Sequence, residues 1–425
     1  MTKVLVFPCG SEIGLEIHKS LRYVKDIELY GGSSVSDHGG YVYSKIIEGI
    51  PFIKDDSFID NINEVIVKYN IDYIIPAHDD AVLKLAENIA KLKCSYVGSD
   101  AFTARICRSK KKTYEYFKEI INIPKIYDEN EISDKSFPLF LKPDVGQGSK
   151  GCFLAKNNKD LEFYKTKDKT LLVLEYLPGD EYTIDCFTDE SGYLLFLGPR
   201  KRNRILNGIS ANTFPVSDSS FREIGERINA NLNLRGAWFF QLKKRKDSSL
   251  VLLEIAPRIA GTMGMYRNLG INFPLLSILD KTEDIEVIVN KLPIVLDRCF
   301  HNKFKVDFYY KHVYIDYDDT LIIKNKVNLL LISLIYQFIN ENKKIYLITK
   351  HSGDLNKSLL KFKISENLFD EIYHLSENDA KSDFIDYKES IFIDDSYRER
   401  KEISIKKEIP VFSIDMLESL VNYRD

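Results

Sequence analysis

The sequence predicts a multidomain protein that combines the α/β and α+β classes. Strand-like and helix-like segments alternate near both ends of the chain, which is typical of open parallel sheets. Between them, roughly residues 137–260 form a series of strand-like segments with few helices, which indicates an antiparallel region. The length of 425 residues suits two or three domains of ~100–200 residues each. We therefore predict three domains, at residues 1–98, 99–305 and 306–425.

The composition restricts the classes of partner and the cellular compartment. With 44% hydrophobic residues and a net charge of -3, the chain is typical of soluble globular proteins and not of dedicated nucleic-acid binders. The six cysteines have no metal-ligand spacing, which indicates reduced thiols. The first residues lack a signal-peptide core, and the longest apolar-rich segment, residues 327–339, is shorter than a membrane span. We expect a cytoplasmic protein without nucleic-acid or membrane partners, and the sequence does not indicate its oligomeric state.

The first domain is predicted from strands at residues 3–8 and 71–75, with helices ending at Leu21 and covering residues 80–92. Gly10 and Gly14 lack the GxGxxG spacing, so dinucleotide binding is not favoured. His78-Asp79-Asp80 follows the second strand at its carboxyl end, where open α/β sheets bind ligands. The favoured interpretation is a helix cap in which Asp79 or Asp80 accepts N–H bonds.

The second domain is predicted to begin with one long helix or a bent pair at residues 101–121. Helix 221–232 is the exception in a region of strands, which we place within 137–153 and at 171–176, 181–187, 193–198, 238–242 and 250–255. The third domain is predicted from a new βα series. Its strands lie near residues 313–316, 345–348, 390–393 and 410–413, and its helices at 327–340 and 355–362.

A glycine-rich loop lies at the centre of the second domain. An apolar segment ends at Lys142, and Gly146, Gly148 and Gly151 precede a second apolar segment at residues 152–155. Successive N–H groups in such a loop can bind an anion beside a lysine charge. A β-hairpin with a glycine-rich turn is the alternative. The order differs from GxxxxGK[ST], because here the lysine precedes the glycines.

Four motifs in order make residues 1 to about 300 resemble the ATP-grasp superfamily, in its carbamoyl-phosphate-synthase-like and carboxylate–amine ligase branch. They are residues 110–113, where Ser109 replaces the family's aspartate, Lys142 with its loop, residues 174–185, and Gln241 with residues 253–261. The resemblance implies an ATP-grasp fold preceded by an open α/β domain at residues 1–98.

The resemblance also implies ATP and Mg²⁺, with Mn²⁺ as an alternative, and a reaction through an acyl phosphate that releases ADP. Arg258 is the implied clamp on the tetrahedral intermediate, and Glu181 the ribose-binding acid. The implied nucleotide-binding residues are Lys110, Lys142, Gly148, Ser149, Glu175, Tyr176, Leu177 and Glu181, and the implied metal ligands are Gln241 and Glu254.

Two segments leave alternatives open. Ala256 stands where the family commonly has a ligating asparagine, so either the second metal is held by ligand oxygens and water, or metal binding is weakened. Residues 200–204 and 207–210 resemble the loop on the acceptor side of this fold, where a guanidinium would hold a carboxylate or phosphate. A solvated β-hairpin is an equal alternative for that segment.

Residues 311–425 resemble the haloacid-dehalogenase-like phosphatase superfamily, on the signature Asp316-x-Asp318-x-Thr320 and on Thr349, Lys381 and Asp394-Asp395. The resemblance implies a Rossmannoid domain in which Asp316 is the nucleophile and Asp318 the general acid and base. Thr349 and Lys381 would hold phosphoryl oxygens. The implied Mg²⁺ ligands are Asp316, the Asp318 carbonyl, Asp394 and Asp395. The short spacing of the motifs leaves little room for a cap, and solvated turns are the alternative for the paired acids.

Together the two resemblances predict a bifunctional enzyme. One half would join a small carboxylate to an amine with ATP, and the other would hydrolyse a phosphorylated metabolite or conjugate. The alternatives are an ATP-grasp small-molecule kinase with an attached phosphatase, and a non-catalytic nucleotide-sensing module that carries an active phosphatase. Ala256 is the sequence feature that favours the sensing module.

Overall fold

The computed structural model describes residues 1–146 and 148–424. Gln147, within the predicted glycine-rich loop, and Asp425, at the end of the predicted third domain, lie outside the described residues. The described chain divides into two compact units, Met1–Phe300 and His301–Arg424. Each unit is described by itself.

The first unit begins with an open parallel sheet, as the βα alternation predicts. Its strands are β1 (Thr2–Phe7), β2 (Ile27–Gly32), β3 (Ile46–Ile47), β4 (Tyr73–Pro76) and β5 (Ser95–Tyr96). Its helices are α1 (Glu12–Leu21), α2 (Phe58–Tyr69) and α3 (Asp79–Ala86). The order is β3-β2-β1-β4-β5, and every pairing is parallel. Because β1 lies in the centre of the sheet, its residues Val4, Leu5, Val6 and Phe7 are all buried.

A bent pair of helices follows, α4 (Ala101–Arg108) and α5 (Lys110–Phe117). The break falls at Ser109, whose backbone is extended and whose hydroxyl accepts the Lys112 N–H. A three-stranded antiparallel sheet comes next, with β6 (Leu139–Lys142), β7 (Phe153–Ala155), α6 (Asn158–Lys167) and β8 (Leu172–Glu175), in the order β7-β6-β8.

A six-stranded antiparallel sheet completes the first unit. Its elements are β9 (Glu181–Thr188), β10 (Leu194–Leu206), β11 (Ile209–Pro215), α7 (Ser219–Asn231), β12 (Gly236–Lys244), β13 (Leu250–Ala256), α8 (Gly264–Arg267), α9 (Phe273–Leu279) and β14 (Leu296–Asp297). The order is β13-β12-β9-β10-β11-β14. On β12, Trp238, Phe240 and Leu242 lie in the hydrophobic core against α7, so the alternate residues occupy the opposite face.

The structure corrects the sequence interpretation of residues 193–215. Strand β10 continues to Leu206 and forms a hairpin with β11, so residues 200–204 belong to a strand and not to a loop. The segment is a hairpin, as the alternative predicts, but it is not solvated throughout, because Arg200 and Arg202 within it are buried. Helix α6 was also not expected, since Leu161 is its one buried residue.

The second unit is built on a five-stranded parallel sheet. Its elements are β15 (His312–Ile315), β16 (Ile322–Ile323), β17 (Lys326–Val327), α10 (Leu329–Asn340), β18 (Lys344–Thr349), α11 (Leu355–Lys361), β19 (Glu371–His374), β20 (Ser390–Ile393), α12 (Tyr397–Lys407) and β21 (Val411–Phe412). The order is β19-β18-β15-β20-β21, and β16 pairs with β17 in a separate hairpin. None of the helices within residues 1–146 and 148–424 combines the length and hydrophobicity needed to cross a membrane.

Candidate functional site

The pairing register of the six-stranded sheet places polar side chains in rows across one face. Glu254 on β13 lies directly opposite Gln241 on β12, which lies opposite Thr183 on β9. In the next row Lys243 lies opposite Glu181. Directly opposite residues of antiparallel strands share a face and stand about 4.5–5.5 Å apart at Cβ. Acidic, amide and cationic groups from three strands therefore meet on the face opposite the apolar core.

Arg202 connects the members of this polar face. Its guanidinium forms a salt bridge with Glu181, and its NH1 donates to Oε1 of Gln241 at 2.9 Å. Its NH2 donates to the carbonyl of Gly208 at 2.6 Å, in the β10–β11 turn. Glu181 also faces Lys243, at 3.4 Å. The predicted ribose acid and the predicted metal-ligand amide are thus both held by an arginine that the sequence analysis assigned to an acceptor loop.

Arg200, in the same predicted acceptor loop, is also engaged within the protein. Its Nε donates to Oδ2 of Asp185 at 2.7 Å, and both side chains are buried. Burial raises the pKa of Asp185, and the Arg200 charge opposes that effect. Neither Arg200 nor Arg202 is therefore an exposed fork for a substrate carboxylate.

Lys142, at the end of β6, is a buried cation. Its Nζ donates to the Tyr114 hydroxyl at 2.6 Å, and that hydroxyl donates to the carbonyl of Leu253 at 2.8 Å, beside Glu254. Burial lowers the pKa of Lys142 to about 8, while the nearby Glu254 charge opposes the shift. Tyr114 was missed by the sequence analysis. Its position four residues after Lys110, on the same helix face, was the available signal.

Lys110 and its helix are joined to the glycine-rich loop through Asp144. The Asp144 carboxylate accepts from the Ser109 hydroxyl at 2.8 Å and from the Lys111 N–H at 2.7 Å. The Lys110 Nζ donates to the carbonyls of Asp144 and Gly146, at 3.2 and 3.3 Å. Burial lowers the pKa of Lys110. Ser109 thus caps the N-terminus of α5, as an aspartate at this position would. The negative charge that such an aspartate would bring to the helix N-terminus is supplied by Asp144.

The loop lies against the β10–β11 turn. Gly148 has φ +61°, a left-handed conformation that favours glycine, and Ser149 has φ +53°. A Cβ added to Gly208 would stand 2.4 Å from the carbonyl carbon of Gly148. The loop and the turn are therefore in direct contact, with no room for a side chain between them.

One cavity brings together every predicted nucleotide and metal residue of the first unit. They are Lys110, Lys142, Gly148, Ser149, Glu175, Tyr176, Leu177, Glu181, Gln241 and Glu254, and Arg202, Lys243 and Cys152 also line the cavity. The Glu175 carboxylate is committed to structure, since it accepts from NH2 of Arg245 at 2.6 Å and from the Lys125 N–H at 2.8 Å. The Glu175 N–H also donates to the carbonyl of Lys125 at 3.0 Å, so the N–H groups of Tyr176 and Leu177 are the donors of that segment that remain for an adenine ring.

Arg258, the predicted clamp on the tetrahedral intermediate, is bound to an acid of the parallel-sheet region, and its role stays a prediction. Among the described residues it does not line this cavity. Its Nε and NH2 donate to the two oxygens of Asp79, at 2.6 and 2.9 Å. The prediction that Asp79 or Asp80 caps α3 is wrong. Nδ1 of His78 accepts the Asp80 N–H at 3.1 Å and caps this helix instead. Asp79 is therefore available to the arginine.

The second unit gathers its predicted acids at the carboxyl ends of adjacent parallel strands. Asp316 follows β15 and Asp394 follows β20, and Nζ of Lys381 lies 2.6 Å from each carboxylate. One oxygen from each of Asp316, Asp394 and Asp395 lies within 4.8 Å of the others. Burial raises the pKa of Asp316 to about 7, with Lys381 opposing the shift and Asp394 adding to it. Thr349 is buried at the end of β18, the other neighbour of β15.

Asp318 has a different partner from the other acids. Its side chain is 52% exposed, and its carboxylate lies 2.9 Å from Nδ1 of His351. The backbone of His351 is held on both sides, since its N–H donates to the Thr349 hydroxyl and its carbonyl accepts from Nε2 of His374 at 2.7 Å. His351 was not predicted, and its place two residues after Thr349 was the available signal.

Comparisons with known proteins bear on the fold. A family model described as "ATP-grasp in the biosynthetic pathway with Ter operon" matches residues 167–295. The N5-carboxyaminoimidazole synthetase of Staphylococcus aureus, solved in complex with ADP, superposes with a TM-score of 0.55 at 18% identity, over 69% of this chain and 81% of that one. The chain carries the ATP-grasp fold. This confirms the ATP-grasp prediction for the fold, while the haloacid-dehalogenase-like assignment of residues 306–425 stays a prediction.

The curated relatives of this chain match over part of their length. The D-alanine–D-alanine ligase of Thermotoga petrophila is 26% identical over 192 residues, which cover 42% of this chain and 61% of that one. The 3-methyl-D-ornithine–L-lysine ligase of Methanosarcina barkeri is 29% identical over 173 residues, 37% of this chain and 44% of that one. The chain thus spans less than two thirds of the length of each of these ligases.

Proposed function

We propose that the first unit is an ATP-dependent ligase that joins a carboxylate to an amine and releases ADP. The observation that carries this proposal is the single cavity in which a glycine-rich loop, the buried Lys142, the half-buried Lys110 and the oxygens of Glu254 and Gln241 meet. The relatives support the same reaction class, because both are named for joining an amino group of one amino acid to the carboxyl group of another.

The cavity offers a suitable group to each part of ATP. Lys110, Lys142 and the loop N–H groups supply positive charge for the polyphosphate. The extended backbone of residues 175–177 supplies a carbonyl and an N–H for the adenine edge. Glu181 would accept ribose hydroxyls with the oxygen lone pairs that Arg202 and Lys243 leave open, and these two cations keep the acid in place.

The residues on the polar face fit Mg²⁺ or Mn²⁺. Glu254 and the Oε1 of Gln241 are hard oxygen donors on directly opposite residues, which brings both to one point of the cavity. A bound cation would neutralise phosphate charge during transfer. Ala256 offers no ligand on the same strand, so we propose that ligand oxygens and water complete the coordination.

The reaction proposed for this cavity has two steps. A carboxylate oxygen of the acid attacks the γ-phosphorus of ATP, the bond to the β,γ-bridging oxygen breaks, and ADP leaves with the electron pair. The amine nitrogen then attacks the acyl carbon, the bond to phosphate breaks, and the amine loses a proton to solvent. The protein contributes mainly positions and opposing charge.

ADP release across a matrix of amino acids and other small acids and amines tests the ligase proposal. We expect ADP, not AMP, only when an acid and an amine are both present. Glu254→Ala should abolish it, and Glu16→Gln, which removes a salt bridge to Arg267 outside the cavity, should not. ADP formation with a stable new phosphoester would indicate a kinase, and absence of ATP consumption with every pair would indicate a sensing module.

We propose that the second unit hydrolyses a phosphomonoester through a phosphoaspartate. The supporting observation is the placement of Asp316, Asp394 and Lys381 at the ends of two neighbouring parallel strands, with Thr349 at the end of a third. The three-acid cluster of Asp316, Asp394 and Asp395 has the oxygen chemistry that Mg²⁺ requires. A bound Mg²⁺ would offset the repulsion between phosphate and carboxylates.

The residues of the second unit would act in sequence. An oxygen of Asp316 attacks phosphorus, the bond to the alcohol oxygen breaks, and that oxygen takes a proton from Asp318. A water oxygen then attacks phosphorus and gives a proton to Asp318, and the bond between phosphorus and the Asp316 oxygen breaks to release phosphate. Lys381, which lies 2.6 Å from Asp316 and from Asp394, would offset their charge and hold a phosphoryl oxygen. The segment between β15 and β18 is occupied by the β16–β17 hairpin and α10, which favours an open site for a bulky substrate.

Phosphate release from a panel of phosphomonoesters tests the second proposal. We expect Asp316→Asn to abolish hydrolysis while ADP release by the first unit continues at the same rate. Hydrolysis that survives this substitution would exclude Asp316 as the nucleophile.

A further inference from the structure

The turn that follows β4 carries Asp79, whose contact with Arg258 has no role in either reaction proposed above. Asp79, the first residue of α3, belongs to the parallel sheet region, and it reaches Arg258 in the segment directly after β13. The two side chains are 16% and 12% exposed. From its sequence, His78-Asp79-Asp80 could be a ligand position or a helix cap, and His78 provides the cap.

The geometry fixes the Arg258 guanidinium on three sides. Asp79 binds Nε and NH2 in a bidentate manner, at 2.6 and 2.9 Å. NH1 donates to the carbonyl of Ile259 at 3.0 Å, and the ring centroid of Phe239 lies 5.2 Å from Cζ. A guanidinium has five N–H donors. Within the described chain three are used, so one N–H on each terminal nitrogen remains for a ligand.

The position of Arg258 connects this pair to the ligase cavity. Arg258 lies four residues after Glu254, and its N–H donates to the carbonyl of Ala256 at 2.9 Å in the turn that ends β13. Burial lowers the pKa of Arg258, and the charge of Asp79, with a smaller contribution from Glu254, raises it above the ordinary value. The two remaining N–H groups thus belong to a cation at the edge of the proposed reaction centre.

We propose that Asp79 is a positioning residue for the ligase reaction, which holds Arg258 so that its remaining N–H pair meets the oxygens of the reacting carboxyl group. This inference rests on the proposed ligase function. A donor that is already oriented stabilises developing charge without a reorganisation cost at the moment of reaction. Without Asp79 the same guanidinium would sample other rotamers and hold the acyl oxygens in fewer of them.

The test compares Asp79→Asn with a matched control in the full-length chain. Asp79→Asn keeps the volume and one acceptor oxygen but loses the charge and the second acceptor. Because removal of one oriented donor costs ~10²–10³-fold in kcat, we expect a kcat for amide formation reduced ~10–100-fold. The KM for ATP should change less than about twofold, since Asp79 is not among the described residues that line the nucleotide cavity. Glu16→Gln is the control, because it removes another acid–arginine bridge, to Arg267 at 2.7 Å, from the same region of the unit.

A double-mutant cycle separates positioning from a general effect on folding. In the Arg258→Lys background, Asp79→Asn should lower kcat by less than about twofold, because the residue through which it acts has gone. Asp79→Glu, which keeps the charge and displaces it by one methylene, serves if the asparagine variant does not fold, and it should recover part of the loss.

The outcomes distinguish the inference from the function on which it rests. An active wild type with an unchanged kcat in Asp79→Asn overturns the positioning role alone. Equal losses in Asp79→Asn and Glu16→Gln, or full additivity in the Arg258→Lys background, overturn it as well. A wild type that releases no ADP with any acid–amine pair overturns the ligase proposal, and the inference falls with it.

Discussion

Raising the pH should weaken ATP binding, because the buried Lys142 loses its positive charge at a lower pH than an exposed lysine does. Burial lowers its pKa from 10.5 to about 8, and the Glu254 charge limits the shift. If the polyphosphate binds only the charged lysine, the apparent Kd is multiplied by one plus the ratio of neutral to charged lysine. That factor is about 1.1 at pH 7 and about 11 at pH 9, so affinity should fall about tenfold over this range.

The assay is isothermal titration of ATP at pH 7, 8 and 9 with constant Mg²⁺. Lys142→Arg is the comparison, because a guanidinium stays charged across this range, and its Kd should change less than about twofold. The pKa of Lys110 is also lowered by burial. The difference between wild type and Lys142→Arg therefore gives the share of the pH dependence of the Kd that is due to Lys142. A wild-type Kd that stays constant from pH 7 to 9 refutes the reasoning, and so does an equal loss of affinity in Lys142→Arg.

The same shift has a consequence for folding stability. The unfolded chain keeps this lysine protonated up to about 10.5, whereas the folded chain releases the proton near 8. Between these values the unfolded state binds more protons, so the contribution of Lys142 to stability rises with pH, while its contribution to ATP binding falls. Binding and stability should therefore respond to pH in opposite directions at this residue.

Three further substitutions test other contacts. Tyr114→Phe leaves Lys142 and the Leu253 carbonyl without a partner and should lower the free energy of unfolding by about 1–3 kcal/mol, measured by urea denaturation. Gly208→Ala should displace the loop, because its Cβ would stand 2.4 Å from the backbone of Gly148, and ATP titration should show a weaker Kd. His351→Phe should reduce phosphate release ~10-fold by freeing Asp318, and His351→Asn should retain more activity, since its amide can donate near the position of Nδ1.

For each of these three predictions, a specific result would contradict the physical reason given. For Tyr114, an unfolding curve that superposes on the wild type would mean that water replaces the hydroxyl. For Gly208, unchanged ATP affinity would show that the loop moves without cost. For His351, equal losses in the phenylalanine and asparagine variants would mean that the imidazole acts through packing and not through its bond to Asp318.

Much of the fold was visible in the sequence because apolar runs mark buried strands. The four buried residues of β1 and the apolar strand β20 are examples. The missed elements lack that mark. Helix α12 buries Ile403 alone among eleven mostly polar residues, so its sequence shows no apolar stripe. Strand β10 carries arginines on its buried face, and they are tolerated there because Asp185 and Glu181 face them from β9.

Site residues could be predicted from the sequence where the chemistry of the motif requires one particular residue type. Lys142, Glu254 and Asp316 are of this kind, and the structure places each in the expected cluster. The partners that orient such groups were not predictable. Tyr114 and Asp79 contact residues 139 and 179 positions away in the chain, and no local pattern contains that information. Tertiary contact, not sequence spacing, selects them.

Residue 144 limits how this site can vary in evolution. Its carboxylate caps the helix that begins at Lys110, and its carbonyl accepts from the Lys110 ammonium. The Lys110 ammonium donates to the carbonyls of residues 144 and 146, so the loop and an incoming phosphate would share one cation. A substitution at Asp144 would therefore alter the N-terminus of α5, the position of the Lys110 side chain and the conformation of the glycine-rich loop together. In related chains we expect positions 109, 110 and 144 to be inherited as a set, with serine at the first accompanying an acid at the last.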